Sequence, residues 1–204
     1  MNIKTIPVGQ LETNCYVVVN EETLACVVID PGDESNAIMD YIESNRLSCA
    51  AIMLTHGHFN HVGAVNAILE QTGCALYIYP RDEGYEVGKS GMKFKRPEGG
   101  KYYDDGDIIV EAGLEFKVLA TPGHTPGSVC LICGGALFTG DTLFRGSCGR
   151  ADLPGGSMRE EMRSLKKICE LEGDYEVYPG HMDSSSLERQ RRFNHYCREA
   201  MAKF

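Results

Sequence analysis

Apolar residues in the first third of the chain fall into short runs that predict alternating strands and helices. The β-branched runs 15–19 and 24–29 are separated by a short polar stretch, which predicts a β-hairpin. Residues 35–45 carry apolar side chains at helical spacing, and residues 50–54 form an apolar run typical of a buried strand. After residue 61 the same reasoning predicts a second helix and then a strand that ends before Pro80.

The second half of the chain returns to strands and then gives two helices. The expected elements are a hairpin of 108–110 with 115–119, strands at 129–132, 135–138 and 175–178, a helix at about 157–171 and a closing helix from about 185. Because both halves run from strands to helix, we expect an α/β chain with a two-sheet core and outer helices. Its length is typical of a single domain spanning residues 1–204.

Residues from about 82 to 107 break this pattern. They are rich in Gly, Lys, Glu and Tyr and show no period, which predicts a surface excursion. Its basic residues are Lys89, Lys93, Lys95, Arg96 and Lys101. A solvated loop is the preferred interpretation, because runs of charge usually lie on the surface. The alternative is a grip on an anionic substrate.

Composition narrows the function classes. The net charge of −9 argues against a nucleic-acid partner, which needs a basic face. No apolar run approaches the roughly 20 residues that span a bilayer, so we expect no membrane partner. The nine cysteines and an N-terminus unlike a signal peptide favour reduced thiols and a cytoplasmic protein. Cys130 and Cys133 have redox-motif spacing but lie in an apolar run, so a buried strand is preferred there.

Five of the six histidines lie in three short segments that contain glycine. These segments are Thr55-His56-Gly57-His58-Phe59-Asn60-His61, Thr121-Pro122-Gly123-His124 and Tyr178-Pro179-Gly180-His181. Asp141 stands in a similar setting, behind Gly140. The sixth histidine, His195, lies in a charged stretch and is expected at the surface or in packing.

Each of these segments follows a predicted strand, where loops commonly carry function. His56 and His58 are two residues apart, so in an extended segment both side chains point the same way. Histidine is the commonest metal ligand, and carboxylates complete such sites. Ligands from widely separated loops are expected of a catalytic site rather than of a zinc finger. The sequence therefore predicts a metal site made of His56, His58, His61, His124, Asp141 and His181.

The segments resemble a known family. Thr55 to His61 is similar to the signature of the metallo-β-lactamase superfamily, and the segments ending in His124, Asp141 and His181 match its remaining metal-binding segments in order. The segment 144–156 resembles the glyoxalase II-like branch, which includes hydroxyacylglutathione hydrolases and persulfide dioxygenases. The resemblance implies a four-layer αββα sandwich with metals at one edge. It also implies a short form without the glyoxalase II helical C-terminal domain, so glutathione specificity is not expected.

The resemblance also implies a ligand set and a reaction. One metal would be held by His56, His58 and His124, a second by Asn60, His61 and His181, and Asp141 would bridge them. A metal-bound hydroxide would then attack a carbonyl or thioester carbon, with Asn60 and Asp141 as the catalytic positions. Asn60 departs from the family, which has aspartate there. Its neutral amide should weaken the second site, so we expect up to two zinc ions, with iron or manganese as alternatives.

Three functions follow as hypotheses. The first is a metal-dependent hydrolase of small thioesters or related esters. The second is a mononuclear iron dioxygenase acting on persulfides, using His56, His124 and Asp141 as a two-histidine, one-carboxylate site. The third is a metal-binding domain whose activity is impaired by Asn60.

The loop after Asp141 is expected near the substrate. Its candidate substrate-binding residues are Arg145, Cys148 and Arg150, which would recognise an anion or a thiol. The alternative is a structural loop whose arginines pair with Asp152 or Glu160. The expected partner is a small molecule, and the sequence is compatible with self-association.

Overall fold

Two mixed β-sheets of six strands each form the centre of the computed structural model, which describes residues 1–84 and 94–204. The first sheet has the order β1-β2-β3-β4-β5-β6. Its strands are β1 (Asn2–Val8), β2 (Thr13–Val19), β3 (Ala25–Ile29), β4 (Ser48–Met53), β5 (Ala75–Ile78) and β6 (Lys101–Tyr102). The pairs from β1 to β3 are antiparallel, and those from β3 to β6 are parallel.

The second sheet has the order β14-β13-β10-β9-β8-β7. Its strands are β7 (Ile108–Glu111), β8 (Leu114–Ala120), β9 (Val129–Cys133), β10 (Ala136–Gly140), β13 (Glu176–Pro179) and β14 (Ser185–Ser186). Only β10 and β13 run parallel within it. A separate two-stranded ribbon pairs β11 (Leu143–Phe144) with β12 (Ser147–Cys148). Both predicted hairpins are present, as β2–β3 and β7–β8.

In the described residues, six helices cover the outer faces of the sheets. They are α1 (Ser35–Ser44), α2 (Phe59–Val62), α3 (Val65–Thr72), α4 (Met158–Cys169), α5 (Leu187–Phe193) and α6 (His195–Lys203). The α4 helix begins where the Ser157 side chain accepts a hydrogen bond from the backbone N–H of Glu160, a typical N-cap. None of the helices in the described ranges combines the length and apolar character needed to span a membrane.

Three apolar clusters show that the architecture has four layers. One cluster lies between the sheets and includes Tyr16, Val27 and Phe138. A second joins the outer face of the first sheet to α1 and α3, and a third joins the second sheet to α4 and α6. This is the αββα sandwich that the resemblance implied, since alternate residues of each buried strand face opposite layers.

The closing helix differs from the expectation. It is two helices, α5 and α6, that meet at Asn194. The backbone of Asn194 is extended, and its side chain accepts a hydrogen bond from Tyr196 N–H, so it ends one helix and caps the next. The same side chain donates to the carbonyl of Ser147, which ties this corner to β12.

The segment from about 82 to 107 was expected to be a surface excursion, but both of its ends are part of the folded core. Asp82 and Tyr103 are buried, and Lys101–Tyr102 forms the edge strand β6 beside β5. The Tyr103 hydroxyl donates to the carbonyl of Leu54, which explains why this position enters the core. The basic residues Lys89 and Lys93 lie outside the described residues.

A tyrosine joins the two sheets close to the last histidine loop. The Tyr16 hydroxyl on β2 donates to the carbonyl of Pro179 on β13 at 2.6 Å, in a buried setting. Asn14 Nδ2 donates to the same carbonyl at 3.0 Å. The first hairpin therefore holds the strand that precedes His181.

We expect Tyr16→Phe to lower the free energy of unfolding by about 1 kcal/mol, the net contribution of a typical buried hydrogen bond. Asn14 still satisfies the Pro179 carbonyl, so the loss should not be larger. Urea unfolding with an unchanged m-value measures it. Tyr41→Phe is the control, because its hydroxyl makes no hydrogen bond in the described part of the chain. Equal midpoints for both variants would contradict the expectation.

Candidate metal centre

The predicted ligands come together at one edge of the sandwich, where four strands end. His56, His58 and His61 follow β4, and the others follow β8, β10 and β13 as His124, Asp141 and His181. All are buried except His181, which is partly exposed. His195 lies away from them on α6, with its side chain 82% exposed, as expected.

Potential ligand atoms form two overlapping groups around Asp141. The first contains His56, His58, His124 and Asp141, with one ligand atom of each within 4.8 Å of the others. The second contains His61, Asp141 and His181 under the same limit. The shared carboxylate lies 3.3 Å from His61 Nε2, 3.4 Å from His124 Nε2 and 3.6 Å from His181 Nε2. This arrangement suits two neighbouring cations bridged by one carboxylate.

Asp30 orients two of the histidines from behind. Its carboxylate accepts hydrogen bonds from Thr55 N–H at 2.8 Å and from Thr55 Oγ1 at 2.6 Å. It also lies 3.0 Å from His61 Nδ1, and Thr55 Oγ1 lies 3.0 Å from His56 Nδ1. Since the Nδ1 atoms are taken, the Nε2 atoms of His56 and His61 face the centre of the cluster.

The His124 ring is oriented by the chain that follows Asp141. His124 Nδ1 lies 2.7 Å from the carbonyl of Arg150, so it donates there and leaves Nε2 for the centre. His124 Nε2 lies 2.7 Å from His58 Nδ1. Two ring nitrogens brought this close suit a shared cation or a single proton between them.

Unpartnered atoms support a metal at this place. His56 Nε2 is buried and has no hydrogen-bond partner among the described residues, and the buried His61 Nε2 and Asp141 Oδ1 have only their 3.3 Å contact with each other. Buried polar atoms without regular hydrogen bonds are costly and rare, so a group of three in one cluster calls for a ligand. The donor set of imidazoles and a carboxylate fits zinc, iron or manganese.

Two histidines are held in the neutral form. Burial lowers the pKa of His56 well below its usual value, and the neighbouring rings lower it further. Burial likewise lowers the pKa of His58 to about 3, with a contribution from His124. A neutral imidazole presents the lone pair that a metal requires.

His61 and Asp141 behave as an ion pair. Burial alone would lower the pKa of His61, but the carboxylates of Asp141 and Asp30 outweigh it and raise the pKa to about 10. Burial would raise the pKa of Asp141, but His61 outweighs it and lowers that pKa below its usual range. The cluster is therefore set up to hold positive charge beside Asp141, which a divalent ion supplies more strongly than a proton.

Asn60 lies at the second group of ligands. Its Nδ2 atom is 3.2 Å from His181 Nε2 and 3.0 Å from Thr13 Oγ1. The amide thus lies beside His181, and it adds no charge to that side of the cluster.

Glycines allow the loops to approach one another. Gly140 has φ +47°, and a Cβ atom there would lie 2.3 Å from Thr55 Oγ1. A Cβ atom on Gly180 would lie 2.3 Å from Asp141 Oδ1. Both positions exclude a side chain, because the ligand loops pack backbone against side chain.

Comparison with known proteins agrees with this geometry. Residues 8–181 match the family described as the metallo-beta-lactamase superfamily. The chain belongs to this superfamily. The crystal structure of the BLEG-1 B3 metallo-beta-lactamase superposes with a TM-score of 0.88 at 29% identity, covering 96% of this chain and 99% of that one.

Other relatives of this metallo-beta-lactamase superfamily chain are similar over nearly their whole length. The hydroxyacylglutathione hydrolase GloC of Haemophilus influenzae is 31% identical over 206 residues, which are 95% of this chain and 97% of the relative. The crystal structure of TTHA1623 in a di-iron-bound form has a TM-score of 0.82 at 34% identity, covering 95% of this chain and 99% of that one. The predicted glyoxalase II-like resemblance is confirmed.

A cavity of about 550 Å³ opens above the ligands of this superfamily member. Its floor is formed by ligands and Asn60, and its wall is largely apolar. The wall residues are Leu11, Phe59, Phe144, Ser147, Cys148, Arg150, Leu153 and Met182. Leu11, Phe59 and Met182 are each about half exposed or more, although they are large apolar side chains. Exposed apolar residues around a cavity are typical of a binding site.

The three candidate substrate residues are placed differently. Cys148 and Arg150 line the cavity, and Arg145 does not. The guanidinium of Arg150 makes two hydrogen bonds to Asp152, at 2.7 and 2.8 Å, as the structural alternative expected. Arg145 pairs with Asp183 at 2.8 Å, a partner that the sequence did not suggest. Burial raises the pKa of the Cys148 thiol to about 12, so this thiol is neutral.

Sequence reasoning missed Asp82, which holds two ligand loops in place. Its buried carboxylate accepts hydrogen bonds from Gly57 N–H at 2.8 Å, Gly127 N–H at 2.7 Å and Thr125 Oγ1 at 2.8 Å. Burial raises its pKa above the usual value despite these hydrogen bonds. A signal was available, because Asp82 follows β5 and parallel strands β4 and β5 end at the same edge.

Glu161 on α4 is a second missed carboxyl. It is fully buried beside the backbone N–H groups of His124 and Gly149, without a regular hydrogen bond to either. Burial raises its pKa from 4.5 to about 9, so it is protonated near neutral pH. This neutral side chain packs directly behind Gly123.

We expect Asp82→Asn to lower the free energy of unfolding by about 1–3 kcal/mol, because the new amide nitrogen faces an N–H donor and leaves it unsatisfied. Urea unfolding measures this loss, and elemental analysis should show fewer bound metal ions per chain. Asp40→Asn is the matched control, since Asp40 is exposed on α1. An Asp82→Asn protein as stable as the control would show that the carboxylate does not hold the loops.

Proposed function

We propose that this chain is a metal-dependent hydrolase of small thioesters or related esters. The observation that carries the proposal is the pair of ligand groups that share Asp141 at the floor of an apolar-walled cavity. A hydroxyacylglutathione hydrolase among the relatives supports it, because it matches nearly the whole chain. Zinc is the proposed metal, since the donors are mainly imidazoles. The proposed setting is the cytoplasm, with a small molecule as partner.

Bound divalent ions would supply Lewis acidity and lower the pKa of a water molecule at the cluster. The chain itself would orient the metal ligands and exclude water from the bound substrate. Asp30 and the Arg150 carbonyl fix the histidine rings, so the ligand atoms need little rearrangement. Phe59, Leu11 and Met182 at the cavity mouth would cover an acyl group and exclude water from it.

The cavity wall favours uncharged acyl groups over strongly anionic ones. The cation at the wall, Arg150, is already engaged by Asp152. Cys148 beside it is a neutral thiol and contributes packing rather than nucleophilic attack. We therefore propose Cys148 and Arg150 as substrate contacts of the hydrolase, and we do not include Arg145, which does not line the cavity.

An iron dioxygenase is the second candidate. The first ligand group contains His56, His124 and Asp141, a complete two-histidine, one-carboxylate set that does not involve Asn60. The similar TTHA1623 structure is described as di-iron-bound, so iron is compatible with this type of scaffold. The number and identity of bound metals separate the two candidates.

The neutral side chain of Asn60 should keep the metal affinity of the second position low. We expect wild-type protein to bind a first zinc ion more tightly than a second, because Asn60 adds no charge. Asn60→Asp should raise the affinity for the second ion at least about tenfold, the lower end of effects seen for residues around metal sites. Competition with a chromophoric chelator measures both affinities, and Asn36→Asp controls for added charge on an exposed position. Unchanged second-site affinity in Asn60→Asp would remove Asn60 from the ligand set.

Turnover tests the hydrolase directly. Zinc-loaded wild-type protein should release free thiol from short acyl thioesters, measured with a thiol-reactive dye. His56→Ala should lower kcat/KM roughly 100-fold or more, since losing a ligand costs more than disturbing its surroundings. His195→Ala should retain full activity, because that side chain is exposed and distant in the fold from the cluster.

Two outcomes would overturn the proposal. A single tightly bound iron, with oxygen consumed in the presence of a thiol persulfide, would favour the dioxygenase. Equal and negligible activity of wild type, His56→Ala and Asn60→Asp on every thioester and ester would favour a metal-binding domain without catalysis.

A further inference from the structure

Three cysteines lie together at the opposite end of the first sheet from the metal centre. Cys26 on β3 pairs in register with Cys49 on the parallel strand β4. Cys74 immediately precedes β5, the next strand of the same sheet. All three contribute to the apolar cluster beneath α1 and α3. Cys49 is the second residue of β4, whereas His56 follows its end, so the two sites are roughly 20 Å apart along the strand.

A β-bulge brings Cys49 to this face. The register of β3 with β4 shifts after Cys26, so that Val27 pairs with Ala51 and Ala50 is the extra residue. Side chains two residues apart normally share a face, yet Ala51 points into the core between the sheets and Cys49 into the outer cluster. The bulge therefore turns the Cys49 thiol toward the two other cysteines.

The thiols form a series with Cys49 in the middle. Cys26 lies opposite it on β3, and Cys74 lies on its other side at the start of β5, on the same face of the sheet. The neighbouring Cys49 side chain, aided by Thr72, lowers the pKa of the Cys74 thiol to about 7. A thiol of lowered pKa is the more reactive one, because the thiolate is the nucleophile.

Access distinguishes this group from the other thiol pair. Cys49 and Cys74 are partly exposed, and Cys26 is buried. Cys169 on α4 and Cys197 on α6 also share one apolar cluster, but both are buried. All nine cysteines are free thiols. The chain thus contains one thiol pair open to solvent and one closed to it.

We infer that Cys49 and Cys74 form a reversible modification site, at which the disulfide of a small thiol oxidises them to a Cys49–Cys74 disulfide. Cys74, as its thiolate, attacks one sulfur of the small disulfide, whose S–S bond breaks and releases one thiol. Cys49 then attacks the Cys74 sulfur and releases the second thiol. The two leaving thiolates take up the two protons of the cysteines, and two electrons pass from the cysteines to the small disulfide. Neighbouring strands are spaced suitably for such a bond.

The test is disulfide mapping of the folded, metal-containing protein. Wild-type protein is incubated with oxidised glutathione, alkylated, digested and analysed by mass spectrometry. The expected result is a linked peptide pair containing Cys49 and Cys74, reversed by a small dithiol, with Cys169 and Cys197 recovered as alkylated thiols. Cys74→Ser should abolish the linked pair, and Cys169→Ser should leave its yield unchanged.

Three results would overturn the inference. One is recovery of Cys49 and Cys74 only as free thiols or as separate glutathione adducts. Another is a dominant link between Cys49 and Cys26. The third is linkage of Cys169 to Cys197 at the same rate as Cys49 to Cys74, which would indicate oxidation of unfolded chains. The wild-type result is decisive even if a serine variant folds poorly, and far-UV circular dichroism identifies such a variant.

Discussion

The metal centre depends on one buried carboxylate, Asp30, at the end of β3. It accepts both the backbone and the side-chain hydrogen bonds of Thr55 and contacts His61 Nδ1. Its backbone has φ +51°, a conformation that aspartate tolerates better than most residues. Asp30 is only 2% exposed, and burying a charged group is costly unless its hydrogen bonds are made. The loop after β4 is therefore held in the position where Thr55 and His61 contact the Asp30 carboxylate.

The remaining loops are held by groups that do not themselves reach the centre. Asp82 connects the loop after β4 with the one that follows His124, through three hydrogen bonds. The carbonyl of Arg150 sets the ring of His124. Together these contacts fix the ligand atoms before any ion arrives, which reduces the reorganisation that metal binding requires. The neutral amide of Asn60 lies beside His181 at the same cluster and adds no charge to it.

Much of the fold and of the candidate site could be predicted from the sequence, because the signals for strands and for metal ligands are local. The strand runs and the glycine-flanked histidines are continuous segments, and for that reason the candidate ligands could be identified from the sequence. Features that depend on distant partners were not found. The position of Asp82 after β5 is a local signal, but the loops that it holds are identified only once β5 lies beside β4. Asn194 interrupts a helical pattern because of a contact with Ser147, and the bulge at Ala50 has no signal of its own.

The contact of Tyr16 with Pro179 has a consequence for the order in which the chain is completed. His181 comes from the last long strand of the second sheet, yet the first hairpin holds that strand through Tyr16 and Asn14. During synthesis the hairpin and the β4 loop emerge long before β13 does. The loop that carries His181 therefore reaches its final position only after segments far apart in the sequence have come together.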